Sequence, residues 1–260
     1  MRARRVFAPA LLAVLLVLAG CRQELHILNV GDSWAAGWEG PMEDEIRAHG
    51  DTPTVVDMAV PGSTAAQWAD PNMLALVQAQ LLARPEITWV MISLGGNDLL
   101  AGYKIGGQGD AVFPGIDQAL RALVGAIVQV RPAIKISLNG YDFLNFEMTP
   151  ECVAMGQEAL GGTTYLKNLL VAKITAIAQG IGADYPQVTA VDLIGTLRKA
   201  ANVPHAPNYG QPSPAILMGD GDCIHPNATG FRDLQKVVYA GFFGPLAASA
   251  AADARQRAAL

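Results

Sequence analysis

The sequence predicts an α/β fold in which a central, mostly parallel sheet of five strands lies between two layers of helices, as a three-layer sandwich. Short apolar runs with β-type composition alternate along the chain with longer segments of helical spacing. Glycine-containing polar motifs follow directly after several of the apolar runs. Regular alternation of strand and helix favours a parallel sheet, because each strand then returns through a helix packed on one face.

Five apolar runs are predicted to be strands. Each is short and ends in turn-forming residues, as expected for strands buried in a sheet. They cover residues 26–30, 54–60, 87–94, 134–138 and 188–193.

Three segments show the apolar periodicity of helices. The first covers 116–128 and the second 166–177, both with apolar residues three or four positions apart. The third follows His225, with Asn227 as the expected N-cap. Its buried stripe is predicted to comprise Phe231, Leu234, Val237 and Val238.

Length and composition indicate one domain over residues 21–260, ending in an alanine-rich tail or frayed helix over 247–260. About half of the 260 residues are hydrophobic (51%), which suits a well-filled core. The formal net charge is −5, and removal of residues 1–20, with three arginines and no acid, would make it −8. An acidic body argues against nucleic acid as a partner. We expect a monomer.

The first 20 residues are predicted to be a secretory signal peptide. A basic leader precedes an apolar run that is too short for a membrane-spanning helix, which needs about 20 residues. The segment Leu18-Ala19-Gly20-Cys21 resembles the lipobox of bacterial lipoproteins. That resemblance implies cleavage before Cys21, lipidation of its sulfur and export to the periplasmic face of a bacterial membrane or to the cell surface. In a source with two membranes, Arg22 and Gln23 after the cysteine favour the outer one. The alternative is an ordinary cleaved signal with an incidental cysteine.

The two remaining cysteines, Cys152 and Cys223, are expected to form a disulfide. An exported protein meets an oxidising compartment in which paired thiols tend to be bridged. Such a bond would hold the segment around Cys223 to the loop that contains Cys152. Two buried, unbonded thiols remain the alternative, because spacing alone does not show that the cysteines meet.

Four short motifs contain the groups needed for acyl transfer, and each lies after a predicted strand. Ser33 offers a nucleophilic hydroxyl, His225 a base, and Asp222, three residues before it, a carboxylate that can orient the ring. The backbone N–H groups of Ser33 and Gly62, with the side-chain amide of Asn97, offer donors to an oxyanion. Because the carboxyl ends of parallel strands share one sheet edge, these residues are expected to meet there.

Each of these residues also has a purely structural interpretation. Ser33 is in a position to cap a helix, Gly62 to form a turn, and Asn97 to be an ordinary polar loop residue. Asp98 is expected to hold the loop that contains Asn97. Asp220 is a weaker candidate than Asp222 for the orienting carboxylate.

The order of the motifs resembles the SGNH (GDSL-type) hydrolase family, whose serine lies in a Gly-Asp-Ser block and whose histidine lies in Asp-x-x-His. The resemblance implies a flavodoxin-like fold and a serine esterase that forms an acyl-enzyme on Ser33, with no metal or organic cofactor. Its substrate would be a carboxylic ester or thioester of a small molecule, a glycan or a lipid. Trp34 stands where the family's first block usually has leucine.

Other interpretations of the polar residues are less well supported. His26, His49 and His205 are most simply structural or solvated residues. A metallophosphoesterase site would need more histidine ligands near the acids than this chain contains.

Several aromatic residues near the motifs are expected to divide between a substrate pocket and the core: Trp34, Trp38, Trp68, Tyr103, Tyr141, Phe143 and Phe146.

Two rival functions use the same sequence features. An acyltransferase would use the same Ser-His-Asp residues with an alcohol in place of water as acceptor. A surface lipoprotein that binds without catalysing would keep the fold alone. Reaction of Ser33 with a fluorophosphonate separates the binding protein from both enzymes, because only an activated serine is labelled.

Overall fold

A computed structural model describes residues 22–203 and 209–245. The signal segment 1–20, Cys21, His205 and the tail 247–260 lie outside these described residues, so the predictions made for them remain predictions.

The described residues contain a single sheet of five strands, all parallel, in the order β2-β1-β3-β4-β5. The strands are β1 Glu24–Gly31, β2 Thr52–Asp57, β3 Trp89–Ser93, β4 Lys135–Asn139 and β5 Val188–Val191. The predicted five-stranded α/β fold is therefore confirmed. The second strand ends earlier than predicted, but Met58 and Val60 still donate backbone hydrogen bonds to carbonyls of β1.

Nine α-helices connect and cover the strands in the described part of the chain. They are α1 Ser33–Ala48, α2 Ala65–Trp68, α3 Pro71–Ala83, α4 Gly96–Leu100, α5 Val112–Val130, α6 Pro150–Ala159, α7 Thr164–Asp184, α8 Thr196–Ala200 and α9 Ala228–Val238. Two π-helical turns, Ala101–Ile105 and Tyr239–Phe243, and two 3₁₀ turns, Gly109–Ala111 and Ala215–Leu217, complete the set.

The helices form two layers on opposite faces of the sheet. Helices α1, α8 and α9 pack together on one side, while α3, α5 and α7 pack together on the other. The predicted helical segments 116–128 and 166–177 lie within α5 and α7. Asn227 caps α9 by accepting the N–H groups of Thr229 and Gly230, as predicted.

The centre of the core is formed by β1 and β3, whose apolar side chains are buried on both faces. Such continuous burial is typical of a parallel strand covered by helices on both sides. Gly109–Val130, which includes α5, is apolar and long enough to span a membrane by length and composition. In this fold α5 packs against α3 and α7, and eight of its side chains are buried.

Candidate active site

The sheet topology brings Ser33 and His225 together, although they are 192 positions apart in sequence. Ser33 is the first residue of α1 and follows the carboxyl end of β1, while His225 lies in the turn before α9. The Oγ atom of Ser33 is 2.6 Å from Nε2 of His225. This distance is within hydrogen-bond reach for transfer of the serine proton to the ring.

Asp222 completes a continuous line of hydrogen bonds. Its Oδ2 is 2.7 Å from Nδ1 of His225, while Oδ1 accepts the backbone N–H groups of Ile224 and His225, each at 2.9 Å. Partial burial opposes ionisation of Asp222, but these donors and the histidine ring lower its pKa below the usual value. A carboxylate can only accept, so Nδ1 carries the proton and Nε2 is left to accept from Ser33. The partner of the ring is therefore Asp222 and not Asp220.

The N-terminus of α1 supplies a backbone donor beside the serine. Asp32 caps this helix by accepting the N–H of Trp34 at 2.9 Å. The N–H of Ser33 itself has no acceptor within residues 22–203 and 209–245. Unpaired N–H groups in the first turn of a helix are positioned to stabilise a negative oxygen.

Asn97 and Asp98 hold the loop that contains Gly62. Nδ2 of Asn97 donates to the carbonyl of Ser63 at 2.9 Å, so one amide hydrogen is engaged and the second has no acceptor within residues 22–203 and 209–245. Asp98 accepts the N–H groups of Ala65 and Ala66, at 2.7 and 3.2 Å, at the start of α2. These contacts connect the loop that contains Asn97 and Asp98 to the start of α2.

Gly62 is not among the residues that line the pocket beside Ser33. It is exposed and has a φ of +80°, in the left-handed region that favours glycine. The pocket is lined by Ser33, Asn97 and His225, among others. The structure therefore brings Ser33, Asn97 and His225 to one pocket, while the role predicted for the Gly62 N–H stays a prediction.

Sequence reasoning missed a buried link between two motifs. The hydroxyl of Tyr141 donates to Oδ2 of Asp32 at 2.5 Å and accepts the N–H of Gly96 at 3.0 Å. Burial raises the pKa of Asp32 from 3.8 to about 6, although hydrogen bonds from Tyr141 and Trp34 act in the opposite direction. The only sequence signal for this link is that Tyr141 comes soon after a strand.

A glycine at position 96 is required by this link. A Cβ atom there would lie 2.9 Å from the ring of Tyr141, a distance too short for unstrained packing. The Tyr141 hydroxyl joins Asp32, which directly precedes Ser33, to Gly96, which directly precedes Asn97.

The turn that contains Asp222 and His225 is held from several sides. Cys152 in α6 and Cys223 form a disulfide with a Cα–Cα distance of 5.4 Å, so the structure contains the bond that the sequence predicted. The N–H of Asn145 donates to the Cys223 carbonyl at 2.8 Å, and the N–H of Gly219 donates to the His225 carbonyl at 2.8 Å. These contacts limit the movement of a turn that has little regular structure of its own.

The pocket beside Ser33 has a mainly apolar wall contributed by α1, α4, α7 and the turns after β4 and before α9. Its volume is about 20 Å³, and a single buried water needs about 10–15 Å³. Its apolar lining residues are Trp34, Leu99, Leu100, Leu144, Val171, Ile174 and Ile224.

The aromatic residues divide between pocket and core. Trp34 and Tyr141 line the pocket. Trp38, Trp68, Phe143 and Phe146 are buried, and Tyr103 packs partly buried against the core.

The other described histidines lie away from Ser33. Nε2 of His26 is 3.5 Å from Glu24, and the ring of His49 stacks on Tyr239 with centroids 3.8 Å apart. His205 lies outside the described residues. Within the described ranges no cluster of three or more His, Cys, Asp or Glu residues is arranged to hold a metal ion.

The comparisons with known proteins agree with the fold and the motif order. Residues 29–232 match the model of the GDSL-like lipase/acylhydrolase family. No curated protein matches the chain significantly.

Solved structures similar to the chain include a mutant of Axe2, an acetyl-xylooligosaccharide esterase from Geobacillus stearothermophilus. It has a TM-score of 0.58 and 16% identity, over 85% of this chain and 95% of that chain. TesA has a TM-score of 0.51 and 20% identity, over 83% and 97% of the two chains. The acetyl xylan esterase AlAXEase has a TM-score of 0.54 and 15% identity, over 83% and 98%.

The fold and the residues at its carboxyl edge are those of an α/β ester hydrolase. The family match covers most of the chain, so the protein belongs to the GDSL-like lipase/acylhydrolase family, the SGNH hydrolases.

Proposed function

We propose that the protein is a serine esterase that works through an acyl-enzyme on Ser33. The observation that carries this proposal is the line of hydrogen bonds from Ser33 through His225 to Asp222, with distances of 2.6 and 2.7 Å. In this arrangement the serine, the base and the orienting carboxylate each have the partner that their role requires.

The reaction proceeds in two halves. Oγ of Ser33 attacks the ester carbonyl carbon while Nε2 of His225 takes the hydroxyl proton. The resulting oxyanion accepts hydrogen bonds from the N–H of Ser33 and the free amide hydrogen of Asn97, with the N–H of Gly62 as the third predicted donor. The carbon–oxygen bond to the alcohol then breaks, and the alcohol leaves with the proton from His225.

Water completes the cycle. It attacks the acyl-Ser33 carbonyl while His225 takes one of its protons, and collapse of the second tetrahedral intermediate releases the acid. Ser33 recovers its proton from His225. Asp222 stays ionised throughout and stabilises the imidazolium that forms in each half.

Replacement of Ser33 tests the nucleophile. Ser33→Ala should lose ester hydrolysis and fluorophosphonate labelling while its melting temperature stays within a few degrees of wild type, because the change removes one small hydroxyl. His225→Ala should also be inactive, whereas the matched variants His26→Ala and His49→Ala should keep wild-type rates. Substantial turnover by Ser33→Ala would refute the assignment.

The pocket favours a short acyl group. Its volume of about 20 Å³ is close to that of one or two waters on the same scale, so it suits the methyl group of an acetyl ester better than a long chain. Rates on p-nitrophenyl esters should therefore fall from acetate to palmitate. Leu144→Ala, which shortens one wall, should raise the rate on butyrate relative to acetate. Faster hydrolysis of palmitate by the wild type would contradict this proposal.

We also propose that the mature chain is lipid-anchored through Cys21 at a bacterial membrane, on the basis of its lipobox-like sequence. The anchor would lie three residues before the start of β1 at Glu24, a reach of at most about 11 Å. Ser33 lies beyond the opposite end of this eight-residue strand, about 23 Å away along the strand. The active site would then face away from the anchoring membrane.

Substitution of the cysteine tests the anchor. Cys21→Ser should release the protein into the soluble fraction and abolish incorporation of labelled palmitate, with esterase activity unchanged. Unchanged membrane fractionation and lipid labelling would refute attachment through Cys21. The assignment of Ser33 as nucleophile does not depend on this result.

A further inference from the structure

Trp34 makes a contact that joins the two sides of the active site. It follows Ser33 in α1 and is 3% exposed. Its indole N–H donates to the carbonyl of Ile224 at 3.0 Å, across 190 positions of sequence. Ile224 directly precedes His225. One hydrogen bond therefore connects the immediate neighbours of the two groups that are proposed to exchange a proton.

The indole is held firmly in this orientation. Its ring packs edge-on against Tyr141, with centroids 5.1 Å apart, and against Phe231 in α9, with centroids 6.0 Å apart. A well-packed aromatic side chain has little freedom to follow the turn if the turn moves. The hydrogen bond to Ile224 thus fixes the turn relative to α1.

We propose that Trp34 is a positioning residue that sets the distance between Oγ of Ser33 and Nε2 of His225. The proposal rests on the assignment of Ser33 and His225 as nucleophile and base. Other contacts of the turn, through Asn145 and the disulfide at Cys223, connect it to the loop after β4 and to α6. The Trp34 contact runs directly to the helix that begins with the nucleophile. A leucine at this position would have no donor for the Ile224 carbonyl.

The chemistry of His225 makes the proposal testable. The ring first takes a proton from Ser33 and then gives it to the leaving alcohol. A p-nitrophenolate group leaves readily without this proton, whereas ethoxide does not. If loss of the Trp34 hydrogen bond displaces His225, acylation of Ser33 by ethyl acetate must slow more than acylation by p-nitrophenyl acetate. A change that only loosens the fold would lower both rates equally.

The sharpest experiment removes a single N–H group. Site-specific incorporation of 3-benzothienylalanine at position 34 preserves the shape of the bicyclic ring but not its donor. The matched control is the same substitution at Trp38, one turn further along α1, which is fully buried and whose indole N–H has no hydrogen-bond partner among the described residues. Both proteins are assayed with both esters, and their melting temperatures are recorded.

We expect kcat/KM, which reports formation of the acyl-enzyme, to fall roughly 10-fold for p-nitrophenyl acetate and roughly 100-fold for ethyl acetate at position 34, since misplacement of a catalytic group by about 1 Å can cost about 10²-fold. The two esters form the same acetyl-enzyme, so they differ only in this first half of the reaction. The protein substituted at Trp38 should match wild type on both esters. Equal rates for the two substituted proteins, or an equal loss on both esters at position 34, would overturn the proposal.

Two further measurements keep the test decisive. If the protein substituted at position 34 does not fold, Trp34→Phe, which also lacks the donor, is assayed by the same criteria. Ser33→Ala is measured alongside. Turnover by Ser33→Ala would mean that the proposed catalytic residues are wrong, whereas an inactive Ser33→Ala with unaffected position 34 would refute only the role of Trp34.

Discussion

Replacement of Asp32 by asparagine should remove a specific pH dependence from the stability of the protein. Asp32 is 1% exposed, and burial raises its pKa from 3.8 to about 6. Its contacts are the hydroxyl of Tyr141 at 2.5 Å and the N–H of Trp34 at 2.9 Å. The nearby His225 also favours the ionised form. These interactions only partly offset the loss of hydration of the carboxylate.

The protonation state of Asp32 sets the direction in which stability changes with pH. Between pH 3.8 and about 6 the folded protein keeps a proton on Asp32 that the unfolded chain has lost, so the free energy of unfolding falls as pH rises through this window. At about 1.36 kcal/mol per pKa unit, the raised pKa of Asp32 lowers the free energy of unfolding by about 3 kcal/mol at pH 8 and by about 0.5 kcal/mol at pH 4. An asparagine has no charge to lose. The stability of Asp32→Asn relative to wild type should therefore rise by about 2.5 kcal/mol from pH 4 to pH 8.

Urea denaturation of both proteins at pH 4 and pH 8, with the disulfide oxidised, measures this difference. Burial also raises the pKa of Asp142, to about 7, but Asp142 is unchanged in the variant, so its contribution cancels. Tyr141 does not titrate in this range because burial raises its pKa well above 10. The comparison between pH values also cancels any constant change in hydrogen bonding at position 32. A stability difference that stays the same at both pH values would refute the reasoning.

Three further predictions concern the site and its support. Asn97→Ala should lower kcat about 10²- to 10³-fold through loss of one oxyanion donor, and a near wild-type rate would show that the amide does not face the oxyanion. Asp222→Asn should lower kcat on the order of 10⁴-fold, because an amide cannot hold the proton on Nδ1 of the ring. An activity loss below tenfold would exclude Asp222 as the orienting group. The double variant Cys152→Ser/Cys223→Ser opens a loop with a sequence separation of 71, which should cost about 4 kcal/mol of stability, measured by urea denaturation against the oxidised wild type.

Local sequence patterns were sufficient to predict the architecture. Apolar periodicity is a property of neighbouring residues, and it identified all five strands, the long helices α5 and α7, and the N-cap Asn227. The order of the motifs, each after a strand, then placed Ser33, Asn97 and the Asp222 to His225 turn at one edge of the sheet. That placement follows from parallel topology alone, because all strands end on the same side.

The sequence also predicted that Asp222 is the carboxylate that orients the His225 ring. A carboxylate three residues before a histidine can curl back to the near nitrogen, and Asp222 does so. This inference needed only the local chain. The strand limits depend on tertiary packing: β2 ends at Asp57, before the predicted limit of 60, although Val60 still donates a backbone hydrogen bond to β1.

Only the tertiary structure decided how the motifs support one another. The contact between Trp34 and Ile224, the link from Asp32 through Tyr141 to Gly96, and the position of Gly62 outside the pocket wall depend on how separate elements pack. A hydrogen bond between residues far apart in sequence leaves no periodicity along the chain. The pairing of Cys152 with Cys223 was expected from export, but that they lie close enough to bond follows from the packing of α6 against the turn. The sequence by itself determined which chemical groups the site contains and at which edge of the sheet they lie. The distances between these groups come from tertiary packing, which no local pattern encodes.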